Sequence, residues 1–132
     1  MKIRVVSSKD EINTLNPNEK IVHFAFRPSN TDILTLIIKG PQVKALHIPT
    51  SYLKSISEST IMYLKMQGIE LLKGDVWGHR KDINEYYEIP PELFDRLKQL
   101  RRDGMPEQDI LEKLTRETRL GSNLIEFILK NN

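Results

Sequence analysis

The chain has no cysteine among its 132 residues, which excludes disulfides, thiolate catalysis and cysteine-based zinc sites. Long apolar runs are missing too. None approaches the roughly 20 residues that a membrane-spanning helix needs. The opening Met-Lys-Ile-Arg lacks the apolar stretch of a signal peptide, so the expected setting is the cytoplasm, away from any membrane. An excess of charge of one sign is also absent. Twenty Lys and Arg against 18 Asp and Glu leave +2, too little for composition alone to mark a nucleic-acid binder. No G-x-G-x-x-G, P-loop, G-x-S-x-G or H-E-x-x-H pattern occurs. Catalysis therefore has no motif behind it and the balance leans against an enzyme, with no cofactor and no metal expected. What remains is 39% apolar and 29% charged residues, a globular composition suited to one small domain with a helical appendage.

The small net charge is unevenly laid out. Residues 1–19 are neutral, residues 20–81 carry +5, residues 82–89 carry −3, and residues 90–132 balance eight bases with eight acids. An anionic partner is accordingly expected at the middle of the chain rather than at its tail.

Residues 1–89 read as alternating strands and helices. Ile3-Arg4-Val5-Val6 is a β-branched run, and Ser7-Ser8 before Asp10 and Glu11 start a short helix that Asn16-Pro17-Asn18 stops. Ile21 to Phe26 is apolar almost throughout, as in a strand covered on both faces. Ile33, Leu34, Ile37 and Ile38 mark a helix closed by Gly40-Pro41. Val43 to Ile48 is a third strand, Thr50 to Gly68 holds a further helix, and Ile69 to Leu72 is a fourth strand. This order predicts an α/β fold: a small, mainly parallel four-stranded sheet with flanking helices, followed by a C-terminal three-helix unit. A short solenoid fits the spacing less well, because the loops differ in sequence.

Parallel strands bring their carboxyl ends, and the helix starts that follow, to one edge where ligands of such sheets bind. Arg27, Ser29 and His47 belong to that edge, although Ser29 equally suits an ordinary N-cap. The stretch Gly74-Asp75-Val76-Trp77-Gly78-His79-Arg80-Lys81-Asp82 holds the single Trp beside a His-Arg-Lys triplet. Trp77 offers a stacking face, while His79, Arg80 and Lys81 suit a phosphate or carboxylate. Arg27, Ser29, His47, Trp77, His79, Arg80 and Lys81 are the candidate site for an anionic small molecule. Convergence of Arg27, His47 and His79 in one pocket would be its mark. His23, mid-strand among apolar neighbours, reads instead as a hydrogen-bonded core residue.

Asp82 to Glu88 and the pair Pro90-Pro91 read as a hinge, dividing the chain into an α/β domain, 1–89, and a tri-helical unit, 90–132. In the tail, Leu97 to Leu100, Gly104-Met105, Ile110 and Leu114 resemble the first two helices of a helix-turn-helix. Leu120, Ile125, Ile128 and Leu129 are similar in spacing to its recognition helix. The departure is the stretch from Thr115 to Arg119, about four residues longer than the usual turn. The resemblance implies DNA as partner: Arg96, Lys98, Arg101, Arg102, Arg116 and Arg119 to phosphates, with Asn123 and Lys130 on the groove face beside Glu126. The run from Gly104-Met105 through Leu114 to Ile125 and Leu129 also resembles a ubiquitin-associated-type module, which implies a protein partner. A third helix exposed among arginines favours DNA contact, whereas one packed on the sheet argues against both roles.

The opening Met-Lys-Ile-Arg-Val-Val-Ser-Ser, the run Ile21 to Asn30 and the run Gly74 to Tyr86 together resemble an uncharacterised archaeal family of methanogens. That resemblance covers nearly the whole chain. It implies a cytoplasmic archaeal protein and names no catalytic residue. The leading reading is a nucleic-acid-binding, regulatory protein with a helix-turn-helix-like tail, as a monomer or a homodimer. A protein-interaction module and a small enzyme or sensor for an anionic metabolite are the alternatives.

Overall fold

The computed structural model describes residues 1–75, 85–118 and 120–132. Five strands form one sheet: β1 (Lys2–Val6), β2 (Ile21–Phe24), β3 (Ala45–Ile48), β4 (Glu70–Lys73) and β5 (Tyr86–Glu88), in the order β4-β3-β2-β1-β5. β1 to β4 are mutually parallel, and β5 runs antiparallel to β1. Helix α1 (Asn30–Lys39) links β2 to β3, and α2 (Glu58–Met66) precedes β4. Short 3-10 turns at Lys9–Thr14 and Thr50–Ser55 complete the crossovers. Helices α3 (Pro91–Arg102), α4 (Glu107–Glu117) and α5 (Ser122–Lys130) follow β5.

The expected four-stranded, mainly parallel sheet is thus a five-stranded mixed one, still of the α/β class. Residues 86–88, read as part of an acidic hinge, form the added strand. What holds them there is polar and distant in sequence. The Glu85 carboxylate lies 3.3 Å from the Arg4 guanidinium, which sits 5.7 Å from the centre of the Tyr86 ring. The Tyr86 hydroxyl donates to Glu19, and that bond is the main cause of its raised pKa. Ile89, fully buried just beyond the strand, adds the apolar anchor.

Successive parallel strands joined by right-handed crossovers return on one side of a sheet. α1, α2 and the 3-10 turns accordingly bury Ile12, Ile33, Leu36 and Leu64 against Val6, Val22, Phe24, Leu46 and Ile48. Side chains alternate along a strand, so the other face carries Ile3, Ile21, Ala45 and Leu72. That face is apolar as well and requires a cover, which the C-terminal helices supply. Leu93, Leu97, Leu100, Ile110, Leu114, Leu124, Ile125, Phe127 and Ile128 join it in a single core. Each such side chain contributes about 1.5–3 kcal/mol by leaving water. Among the described residues no helix is long and apolar enough to cross a membrane.

Candidate nucleic-acid interface and the histidine pair beneath it

The tail helices are joined by two short turns. Pro91 in the first turn of α3 suits a position whose amide has no helical partner. After Arg102, residues 103–106 reverse the chain, with Gly104 at φ +77°, a conformation that favours glycine. The second turn corrects the sequence reading. Thr115, Arg116 and Glu117 continue α4, and Thr118 closes it by donating its amide to the Leu114 carbonyl. Residues 118–121 then lead into α5. The apparent four-residue excess is absorbed by an extra turn of helix, leaving a connection of ordinary helix-turn-helix length.

α5 is packed on the sheet, the arrangement that the sequence reading set against a DNA or protein role for the tail. Leu124, Ile125, Phe127 and Ile128 are buried, and the exposed stripe is Ser122, Glu126 and Lys130. The helix lies along the outer strand β4, antiparallel to it. Asn123 Oδ1 accepts the Lys73 amide at 3.1 Å near one end, and Lys130 Nζ meets Glu70 at 3.1 Å near the other. Seven residues of helix and three of strand both span about 10 Å, so the two contacts match in length. Asn123 thereby caps an edge amide of the sheet. Gly121 makes this approach possible: a Cβ there would stand 3.1 Å from the Lys73 carbonyl oxygen.

The expected phosphate-contacting side chains differ in what they already hold. Arg96 forks onto Glu117 at 3.1 and 3.3 Å, tying α3 to the end of α4. That hydrogen bond holds the Glu117 carboxyl below the usual carboxylate range. Arg101 donates to Glu107 at 2.9 Å, to the Leu129 carbonyl at 2.9 Å and to the Asn132 carbonyl, clamping all three helices. Arg116 donates to the Glu112 carbonyl of its own helix at 3.4 Å. Lys98 and Arg102, one helical turn apart on α3, are exposed and form no salt bridge to a described residue. Arg119 lies outside the described residues.

A second cationic feature adjoins this surface, and sequence reasoning missed it. Lys2, Lys20 and Lys44 line one depression of about 490 Å³ against a single acid, Glu19, together with Asn16, Asn18 and, from α5, Phe127 and Asn131. The signal was present: a lysine stands immediately before Ile3, before Ile21 and before Ala45. Parallel pairing in near-equal register carries those three starts to one edge. Toward the fourth strand the row ends: with Ala45 opposite Glu70, the residue level with Lys44 is Ile69.

Three of the seven ligand-site candidates are described, and His47 lies apart from Arg27 and Ser29. Arg27 donates to the Ser51 carbonyl at 3.1 Å and lies over the Tyr52 ring. Ser29 is the N-cap of α1, exchanging hydrogen bonds with Asp32 at 2.9 and 3.2 Å. His47 is buried on the opposite, tail-covered face, at the same level as His23. Trp77, His79, Arg80 and Lys81 lie outside the described residues. The third position of Ile-Val-His-Phe and of Ala-Leu-His-Ile is histidine in both strands, the signal that could have paired them.

The two rings share a hydrogen bond, Nδ1 to Nδ1, at 2.8 Å. Asp75 Oδ1 lies 3.5 Å from His23 Nε2. A carboxylate there favours a proton on His23 Nε2, so His47 Nδ1–H is the donor and His47 Nε2 carries a bare lone pair. That nitrogen is buried and has no hydrogen-bond partner among the described residues. It abuts Gly74, where a Cβ would come within 2.7 Å. Burial first, and repulsion by His23 second, push the His47 pKa down to about 3, against a smaller upward pull from Asp75. His47 is therefore neutral at physiological pH. The described residues contain no cluster of three or more His, Asp or Glu arranged to hold a metal ion.

Two family models match the chain. Residues 2–85 match the N-terminal domain of a family of unknown function, DUF1699. Residues 92–130 match the C-terminal helix-turn-helix domain of that family. No curated protein and no solved structure matches the chain.

Proposed function

The chain belongs to the DUF1699 family, and from that membership and the geometry of its tail we propose that it is a DNA-binding regulatory protein. The observation that carries this reading is the coincidence of the helix-turn-helix match with three helices joined by two four-residue connections, which we weigh above the packing of α5 on the sheet because that packing leaves one stripe of the helix exposed. Two further features refine it. α5 has only the Ser122, Glu126 and Lys130 stripe to offer a groove, so base reading is a minor part of the affinity. Phosphate contacts are the major part. Lys98, Arg102 and Arg116 supply them from the tail, and Lys2, Lys20 and Lys44 extend the cationic surface past the end of α5. Arg96 and Lys130 join them at small cost, since exposed ion pairs are worth only about 0–1 kcal/mol.

The test is fluorescence anisotropy on duplex DNA across a salt series. Binding should weaken steeply with salt. The double variants Lys98→Ala/Arg102→Ala and Lys20→Ala/Lys44→Ala should each lower the slope of log K against log salt by about 2. Arg101 is a poor probe, because its loss also unties the helices. Absent or salt-independent binding would sink the reading.

A further inference from the structure

The lysine row at the start of the parallel strands borders a hollow as well as a charged surface. Arg4 stands level with Val22, and Val22 with Leu46, so two steps earlier Lys2, Lys20 and Lys44 stand level too. Neighbouring strands lie about 4.8 Å apart, which brings the three starts within about 10 Å. Lys44 donates its amide to the Lys20 carbonyl at 2.7 Å, fixing the spacing of that pair.

These charges are little used. None of the three lysines forms a salt bridge to a described residue. Lys20 Nζ donates to the neutral Gln42 side chain at 2.6 Å, and Lys2 Nζ lies 6.0 Å from the centre of the Tyr86 ring. The one acid on the lining, Glu19, is buried and accepts from the Tyr86 hydroxyl. The Met1 amine, also on the lining, is already opposed by Glu88 at 3.9 Å. Three ammonium groups against one carboxylate leave a surplus that a dianion matches.

The rest of the hollow goes beyond what a DNA backbone can use. Ile21 and Phe127, both buried, back it. Asn16 and Asn18 accept through their side-chain oxygens, from the Asn18 amide at 2.9 Å and from Gln42 at 3.5 Å, which leaves their amino groups to donate. Asn131 does the reverse, giving Nδ2 to the Phe127 carbonyl at 2.8 Å and keeping Oδ1 to accept. The volume of about 490 Å³ falls within the roughly 300–1,000 Å³ of small-molecule sites.

We propose that this depression binds an organic phosphate of nucleoside-monophosphate size, its phosphate among Lys2, Lys20 and Lys44 and its polar body against the asparagines. A phosphate monoester carries about −1.5 to −2 charges at neutral pH and has three acceptor oxygens, one for each ammonium. On the DNA-binding reading above, on which this second step rests, ligand and DNA exclude each other, because both take Lys20 and Lys44.

Isothermal titration calorimetry of the full chain without DNA tests the site, with AMP, GMP, CMP and UMP as probes. At least one should bind, and its parent nucleoside and inorganic phosphate should each bind about tenfold more weakly or worse. Lys20→Ala/Lys44→Ala should weaken binding about tenfold or more, and Asn131→Ala about fivefold. Lys39→Ala/Lys65→Ala, an equal loss of charge on the other side of the sheet, should change nothing. Failure of all four nucleotides to bind overturns the proposal, whatever the chain does with DNA. Inorganic phosphate binding as tightly as the nucleotides also overturns it, as does Lys39→Ala/Lys65→Ala weakening binding as much as Lys20→Ala/Lys44→Ala. In the anisotropy assay, saturating nucleotide should lower DNA affinity to that of Lys20→Ala/Lys44→Ala. DNA affinity untouched by bound nucleotide overturns the exclusion, while absence of any DNA binding sinks the DNA reading and leaves the calorimetry to decide the site.

Discussion

The two faces of the sheet are covered by different means. One is closed by helices that leave and rejoin neighbouring strands, so Ile33, Leu36 and Leu64 reach Val22 and Leu46 through short loops. The other is closed by α3 to α5, whose Leu97, Ile125 and Ile128 meet Ile3 and Ile21 from the far end of the chain. The locally built face is mainly apolar, with Arg4 of β1 and Thr60 of α2 as buried polar side chains. The remotely built face encloses the His23–His47 pair. Polar groups in a core narrow the ways its cover can dock, and they occur here where chain connectivity does least to guide docking.

The most damaging way to probe this difference is to cut into both faces. Leu36→Ala and Ile128→Ala should each cost about 2–5 kcal/mol in urea unfolding, with one cooperative transition. A separate early transition in Ile128→Ala would show the tail to be a detachable cover rather than half of the core.

Next in size is the acid response of the histidine face. His47 in the folded chain resists protonation down to about 3, whereas the unfolded chain takes up that proton near 6.5. The unfolded state therefore binds more protons between these values, and stability falls as pH drops through the window. The slope reaches about 1.4 kcal/mol per pH unit. His47→Gln should be less stable at neutral pH yet show a flatter decline below 6.5, as measured by urea unfolding across the window. An unaltered slope would trace the acid sensitivity to other groups.

The smallest effect sharpens the border between docking and reading. Asn123→Ala leaves the Lys73 amide at the sheet edge uncapped and should cost about 1 kcal/mol. If the melting temperature drops while DNA affinity holds, Asn123 serves the dock. Lost affinity with an unchanged melting temperature would give it back to the groove.

Much of the architecture was legible because it rests on local patterns. The apolar runs at Ile3, Ile21, Ala45 and Ile69, the cap at Ser29, the helix start at Pro91, and the apolar spacing of the three tail helices each declare themselves within a few residues. What escaped depends on partners far along the chain. β5 hid behind its acids because Arg4 and Glu19, the groups that hold it, lie more than sixty residues away. His47 was expected at the ligand edge because a strand end does not say which face a side chain takes. The neighbouring strand's His23 decided that. The lysine row was visible only as three separate residues until strand register aligned them. Conversely, the α4–α5 connection looked too long because helix termini are the least certain part of any pattern.

The placement of β5 bears on how the chain is made. Ile89 donates its amide to the Met1 carbonyl at 3.0 Å, and Val5 donates to Glu85 at 2.8 Å, so β1, made before β2 to β5, is an inner strand of their sheet. It waits with one open edge until residue 89 has left the ribosome. The face bearing Ile3, Ile21, Ala45 and Leu72 waits longer, until α5 emerges. A nascent chain halted ahead of α3 thus has one finished face and one bare one, the state in which unpaired edges and apolar surface promote aggregation. The emergence of α5 is what seals that face.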